Sequence, residues 1–170
     1  KICAEAHQKL KKKYKKLLTV IIPRHVHRVN DIYKEILDMG FKVQIHSKKS
    51  KIKKDTDIYL VDTYGETKSF FKICNTVFLG GSIVNHGGQN PLEPARFGCK
   101  ILHGPNIQNF TEVYRLLNKE NLSFKFYNTN QLAKSVNQSL NQNINFSKKI
   151  TKLKKIGSNI LNHTSTEINC

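Results

Sequence analysis

Residues 76–94 read TVFLGGSIVNHGGQNPLEP. The apolar run Thr76 to Leu79 predicts a buried strand, and two glycine pairs, Gly80-Gly81 and Gly87-Gly88, predict a loop after it. Asn90-Pro91-Leu92-Glu93 then has the pattern of a helix start, with Asn at the cap, Pro at the first position and Glu at the third. Strand, glycine loop and helix in this order form the repeating unit of parallel sheets.

The rhythm continues on both sides. Upstream, apolar residues at helical spacing from Ile2 to Leu18 predict one amphipathic helix, followed by a strand from Leu18 to Ile22 that Pro23 stops. A helix opened by Asn30 or Asp31 runs through Met39, with Gly40 as its stop. Strands are predicted from Phe41 to His46 and from Asp57 to Val61, separated by a Lys-rich loop, and a helix from about Glu66 to Cys74. Downstream come a strand from Lys100 to His103 and a helix from Asn109 or Thr111 to about Asn118. A strand from Ser123 to Tyr127, a helix from Gln131 to Leu140 and one more helical segment between Asn143 and about Leu161 complete the pattern. Strands separated by helices imply right-handed crossovers and a parallel sheet with helices on both faces, an α/β, Rossmann-like domain. Such a domain ordinarily opens on a strand, whereas this chain opens inside a helix, so a first strand is expected to be lacking.

Composition bounds the function. At 170 residues the chain is expected to be a single domain, 1–170. No run approaches the ~20 apolar residues that span a bilayer, which implies a soluble or peripheral chain. Cys3, Cys74, Cys99 and Cys170 lie far apart without a C-x-x-C, so neither a zinc site nor a disulfide framework is indicated. The net charge of +17 points first to nucleic acid. Only four of the 29 basic residues are Arg, however, and the rest are Lys beside 17 Asn and 17 Ile, the residue bias of an AT-rich genome. Nucleic acid is therefore not the expected partner, and attraction to anionic lipid head groups stays open.

Ligands of open α/β sheets sit at the carboxyl ends of the strands, which directs attention to the loops after Ile22, Val61, Leu79 and His103. Backbone amides of the two glycine pairs, the Ser82 hydroxyl and the following helix start suit an anion cradle. The loop is neither a Walker sequence nor G-x-G-x-x-G, so neither ATP hydrolysis nor NAD binding is indicated. Asn90 and Glu93 carry two open readings, a helix cap or acceptance of sugar hydroxyls. Pro23-Arg24-His25-Val26-His27-Arg28 holds two of the four Arg, the side chain that forks phosphate. Asp62-Thr63-Tyr64-Gly65-Glu66 follows a strand and reads equally as a structural turn.

Taken in order, several segments resemble the C-terminal half of the bacterial 3-deoxy-D-manno-octulosonic acid (Kdo) transferases of lipopolysaccharide synthesis. They are Pro23-Arg24-His25-x-x-Arg28, Asp62 to Glu66, Val77 to Ser82, Gly87 to Ala95, and His103-Gly104-Pro105-Asn106-x-x-Asn109-Phe110. The resemblance implies the C-terminal, donor-binding domain of a GT-B glycosyltransferase that moves Kdo from CMP-Kdo to a lipid A precursor without metal or other cofactor. It implies donor contacts from Pro23, Arg24 and His25, from Gly65 and Glu66 beside the base, and from Gly80, Gly81, Ser82, Gly87, Gly88, Asn90 and Glu93 around phosphate and ribose. The catalytic base is expected outside this chain, as are the acceptor domain and membrane anchor, so a fragment or split half is expected, completed by a separately encoded N-terminal half or else inactive. The intact enzyme is expected at the cytoplasmic face of the inner membrane. Alternatives are an inactive remnant, a UDP-sugar-using GT-B or epimerase-like domain, and a non-catalytic basic module. That module would bind RNA or anionic lipid through the Lys clusters at 11–16, 48–54 and 148–155. His7, His46, His86, His103 and His163 show no metal-ligand spacing.

Overall fold

Strands and helices alternate through the computed structural model, which describes residues 1–141 and 151. The order is α1 (Ile2–Lys11), β1 (Thr19–Ile21), α2 (Val29–Asp38), β2 (Val43–Ile45), β3 (Ile58–Leu60), α3 (Thr67–Phe71) and β4 (Thr76–Phe78). It continues with α4 (Leu92–Arg96), β5 (Lys100–His103), α5 (Thr111–Lys119), β6 (Ser123–Lys125) and α6 (Thr129–Leu140). The helical segment expected between Asn143 and Leu161 lies outside the described residues. Every strand pair is parallel, as the alternation predicts, but the ladders form two three-stranded sheets where one was expected. The described chain correspondingly divides into two units, residues 1–70 with 128–137, and residues 71–127 with 138–141.

In the first unit the order is β1-β3-β2. The central strand is buried along its length, which is why Ile58-Tyr59-Leu60-Val61 is an unbroken apolar run. Ala4 of α1, Ile36 of α2, Phe41 and Ile58 form its core, with Ile21, Ile32, Met39 and Val43 packed around them. Helix α1 stops at Lys11, short of the Leu18 that periodicity suggested. Lys12, Lys13, Lys15 and Lys16 are exposed and Tyr14, Leu17 and Leu18 only half-buried, so less packing supports a helix beyond Leu10. The Lys11 ammonium ties the turn instead, reaching the Leu17 carbonyl at 3.2 Å and Asp57 at 2.8 Å. Residues 128–137 join this unit from a distance in sequence. Thr129 donates to Glu5 at 2.8 Å, and Tyr14 and Lys13 donate to Asn137 at 2.7 and 3.2 Å.

The second unit runs β4-β5-β6. All four residues of β5 are buried, and even Lys100 lays its ammonium 4.2 Å above the Phe124 ring. Leu79, Ala95, Ile101, Tyr114, Leu117 and Leu122 make its core. Cys3, Cys74 and Cys99 are free thiols, and burial pushes Cys99 up to about 12.

Three helices deliver the chain to a strand by the same turn. After α2, Gly40 takes φ +83° and its N–H donates to Leu37 O, while the N–H of Phe41 donates to Ile36 O. Gly98 and Cys99 repeat the pair of bonds after α4, on Ala95 O and Pro94 O, and Asn121 and Leu122 repeat it after α5, on Asn118 O and Leu117 O. This is the Schellman arrangement, with one left-handed residue and then an apolar one, and Phe41, Cys99 and Leu122 are all buried. A methyl group on Gly40 meets nothing within 4 Å, so Gly40→Ala isolates the backbone cost. The left-handed strain of about 1–2 kcal/mol, less about 0.4–1 from a stiffer unfolded chain, predicts a net loss of about 1 kcal/mol in urea unfolding.

His7 of α1 is buried, with Nδ1 bonded to the Thr19 hydroxyl at 2.9 Å and Nε2 3.6 Å from Asp57, too far for a hydrogen bond. Burial, reinforced by the Lys11 ammonium, outweighs Asp57 and lowers its pKa, so the ring folds neutral. A depressed histidine stabilises the fold above its unfolded pKa near 6.5 and loses that contribution as pH falls toward the folded value. Melting temperature is therefore expected to fall between pH 7 and pH 5, and to fall less in His7→Gln. Equal slopes in the two proteins would show that His7 does not carry the effect.

Candidate functional site

In the first unit the loops after β1, β2 and β3 leave neighbouring strands at one edge, since Ile21 and Ile45 both register with Leu60. The β1 loop passes Pro23, Arg24 and His25 into a 3-10 turn, Val26–Arg28, and on into α2. Arg24 and His25 are exposed, and the Arg24 guanidinium has no hydrogen bond or ion pair among the described residues. The His25 ring stands beside that of His27 with centroids 5.4 Å apart.

The β3 loop is braced by groups that sequence reading left without a role. Asp62 accepts from both the N–H and the hydroxyl of Ser47, in the loop after β2. Burial raises the Asp62 pKa, but these two bonds outweigh it and hold the carboxyl below its ordinary range. His46 bonds the Tyr59 hydroxyl at 3.1 Å and packs edge-on against Tyr59 and Phe70. Its Nε2 lies 3.9 Å from Glu66, which follows Gly65 in the expected base-contacting turn. These partners stand 13 to 24 positions apart in sequence, which conceals them from any local pattern.

In the second unit Gly80 to Glu93 form the connection from β4 to α4. The loop closes on itself where the Gly88 N–H donates to Gly81 O at 3.2 Å, and Gly81, Gly87 and Gly88 all have positive φ. Among the described residues no acceptor takes the N–H of Gly80, Gly81 or Gly87. The Ser82 hydroxyl, expected to join an anion cradle, is instead committed to the fold. It is fully buried, donates to Leu79 O at 2.7 Å and accepts from Gly104 N at 2.8 Å, so its proton is not available to an anion. Asn90 accepts from Leu92 N at 3.0 Å but stands one residue outside α4's N-cap, which is Pro91 and not Asn90 as the capping reading predicts. Glu93 is half-buried, and its carboxylate has no partner among the described residues.

The segment His103 to Phe110 grips this loop. Asn106 donates its N–H to Ser82 O at 2.9 Å and its amide to Ile83 O at 3.1 Å. Asn109 donates its N–H to Gly87 O at 3.1 Å and its amide to His86 O at 3.3 Å. From α5 the Tyr114 hydroxyl reaches Gln89 O at 3.3 Å, and its ring packs 4.3 Å from that of buried His103. His103 donates Nδ1–H to Gly104 O at 2.8 Å, and burial lowers its pKa.

Among the described residues no group of three His, Cys, Asp or Glu is placed to hold a metal ion. None of the described helices is long and apolar enough to cross a membrane. Removing the Ser82 hydroxyl leaves a buried N–H and a buried carbonyl unpaired together. Ser82→Ala is accordingly expected to lower urea stability by about 1–3 kcal/mol, and a loss under 0.5 kcal/mol would show that water replaces it.

No protein-family model matches the chain. It is 34% identical over 116 residues, 68% of its length, to the 3-deoxy-D-manno-octulosonic acid transferase of Haemophilus influenzae. It is 29% identical over 139 residues, 82% of its length, to that of Aquifex aeolicus. These stretches are 27% and 38% of the relatives, so the chain spans well under half the length of the curated proteins it matches. In fold it matches the crystal structure of the C-terminal CMP-Kdo binding domain of WaaA from Acinetobacter baumannii, with a TM-score of 0.81 at 22% identity, over 91% of this chain and 80% of that one. By sequence along most of its length, and by fold, the chain is a homologue of the Kdo transferases and has the architecture of their C-terminal domain.

Proposed function

We propose that this chain supplies the donor side of a Kdo transferase, holding CMP-Kdo for transfer to a lipid A precursor. The observation that carries the reading is the glycine loop Gly80–Gly88, leaving a parallel strand at its carboxyl end with unclaimed amides and a second loop fixing its shape. In the proposed reaction an acceptor hydroxyl attacks the anomeric carbon of Kdo as the bond to the CMP phosphate oxygen breaks. Negative charge grows on the departing phosphate, where preorganised N–H groups and a guanidinium stabilise it best. We assign the amides of Gly80, Gly81 and Gly87 to that charge and the free carboxylate of Glu93 to ribose hydroxyls, and in the first unit the unpaired Arg24 side chain is proposed separately as a donor contact. Pro23, His25, Gly65, Glu66, Gly88 and Asn90 are proposed as further donor contacts, and Ser82 as a buried support. The acceptor proton goes to a base contributed from outside this chain, and no metal is assigned to the step. The lipid acceptor implies work at the cytoplasmic face of the inner membrane, with an N-terminal half that carries the acceptor site.

A titration with CMP, and in parallel with UMP, followed through the amide resonances of residues 80–93, tests the reading. Saturable shifts that favour CMP are expected. Arg24→Ala is expected to weaken CMP binding by about 10- to 100-fold, the worth of a charge-assisted phosphate contact. Equal response to UMP would move the assignment to another nucleotide, and a folded protein with no shifts would overturn it.

A further inference from the structure

The sequence His103 to Phe110 has so far served only as part of a resemblance, yet its polar groups are spent almost entirely on one neighbour. Gly104 N–H bonds the Ser82 hydroxyl, Asn106 bonds Ser82 O and Ile83 O, and Asn109 bonds Gly87 O and His86 O. Five donors from one six-residue stretch thus hold both ends of the glycine loop, at Ser82-Ile83 and at His86-Gly87. Only the tip of the loop between these anchors, Val84 to His86, is exposed.

From this we infer that Asn106 and Asn109 are positioning residues for donor binding, fixing the Gly80–Gly88 backbone so that its amides face a phosphate before one arrives. The inference rests on the donor-binding reading above and names residues that it does not include. An isolated loop with three left-handed glycines has many conformations, and ordering it on binding subtracts from affinity. The two asparagines remove that cost in advance. Their amides are suited to the task because each side chain donates to a carbonyl while its own backbone N–H donates to another, so one residue pins two consecutive peptides. The fit is also steric. A methyl group on Gly87 would run into the Asn109 amide, so the loop at Gly87 and the side chain at Asn109 determine each other's shape.

Asn106→Ala and Asn109→Ala delete only the side-chain bonds. Each is expected to weaken CMP binding about three- to tenfold, with a melting temperature near that of the parent. Faster amide exchange is expected to be confined to residues 81–88. A binding loss that follows melting temperature across the variants, with exchange raised throughout the unit, would reduce the asparagines to general stability and overturn the inference. Gly87→Ala supplies an arm that stability alone does not mimic. The double variant Gly87→Ala with Asn109→Ala is expected to bind CMP better than the product of the two single losses, since the second change clears the space that the first one needs. Multiplicative losses would count against steric coupling. Should the parent chain bind no CMP, the donor reading falls, while exchange in the unliganded variants still decides whether the asparagines hold the loop.

Discussion

Each time this chain leaves α2, α4 or α5 it must reverse direction within two residues and enter a strand that packs on the helix it has just left. A right-handed helix cannot do this with ordinary backbone angles, and the molecule meets the constraint with a single left-handed residue, Gly40, Gly98 or Asn121. The residue that follows is buried and starts the next layer of core, so the turn sets helix end, strand start and packing together. The parallel registers of β2, β5 and β6 depend on where those turns fall. Two of the three positions are glycine, and at the third Asn is the side chain that tolerates such a backbone best.

The two units place different kinds of group at the carboxyl ends of their strands. In the first, charged and aromatic side chains brace one another: Asp62 on Ser47, and His46 between Tyr59 and Glu66. In the second, the Ser82 hydroxyl and the Asn106 and Asn109 amides hold loop backbone, and the N–H groups of Gly80, Gly81 and Gly87 take no acceptor among the described residues. Amides in a fixed array need no rearrangement to meet an anion, whereas long side chains do.

Much of the fold was legible because burial writes simple patterns. The central strands β3 and β5 are short apolar runs bounded by polar residues, and β5 falls where the sequence placed it. The end of α1 was not legible, since Leu17 and Leu18 continue the helical spacing and only the Lys11 bonds to Leu17 and Asp57 reveal the turn. Division of the ladders between two sheets depends on long-range hydrogen bonds that no local window contains. At the site the glycine pairs announced their loop, and Asn90 announced the start of α4 to within one residue. Ser82 misled, because a hydroxyl in a glycine loop reads as a ligand group until its burial and both partners are known. Asn106 and Asn109 stood in the sequence only as part of a resemblance, since the carbonyls they hold lie 23 positions away, outside any local window.

The first unit is also discontinuous along the chain, and this bears on the order in which the protein comes together. Its closing contacts, Tyr14 with Asn137 and Thr129 with Glu5, join residues 123 and 124 positions apart, with all three strands of the second unit between them. A ribosome finishes the β1-β3-β2 sheet early but delivers its last ten residues only after β6 has been made. During that interval α1 lacks part of its cover, while the second unit, whose βαβαβ strands are contiguous in sequence, needs nothing from later synthesis to build its sheet. The sheet that starts first on the ribosome therefore receives its cover only after the second sheet already has all three of its strands.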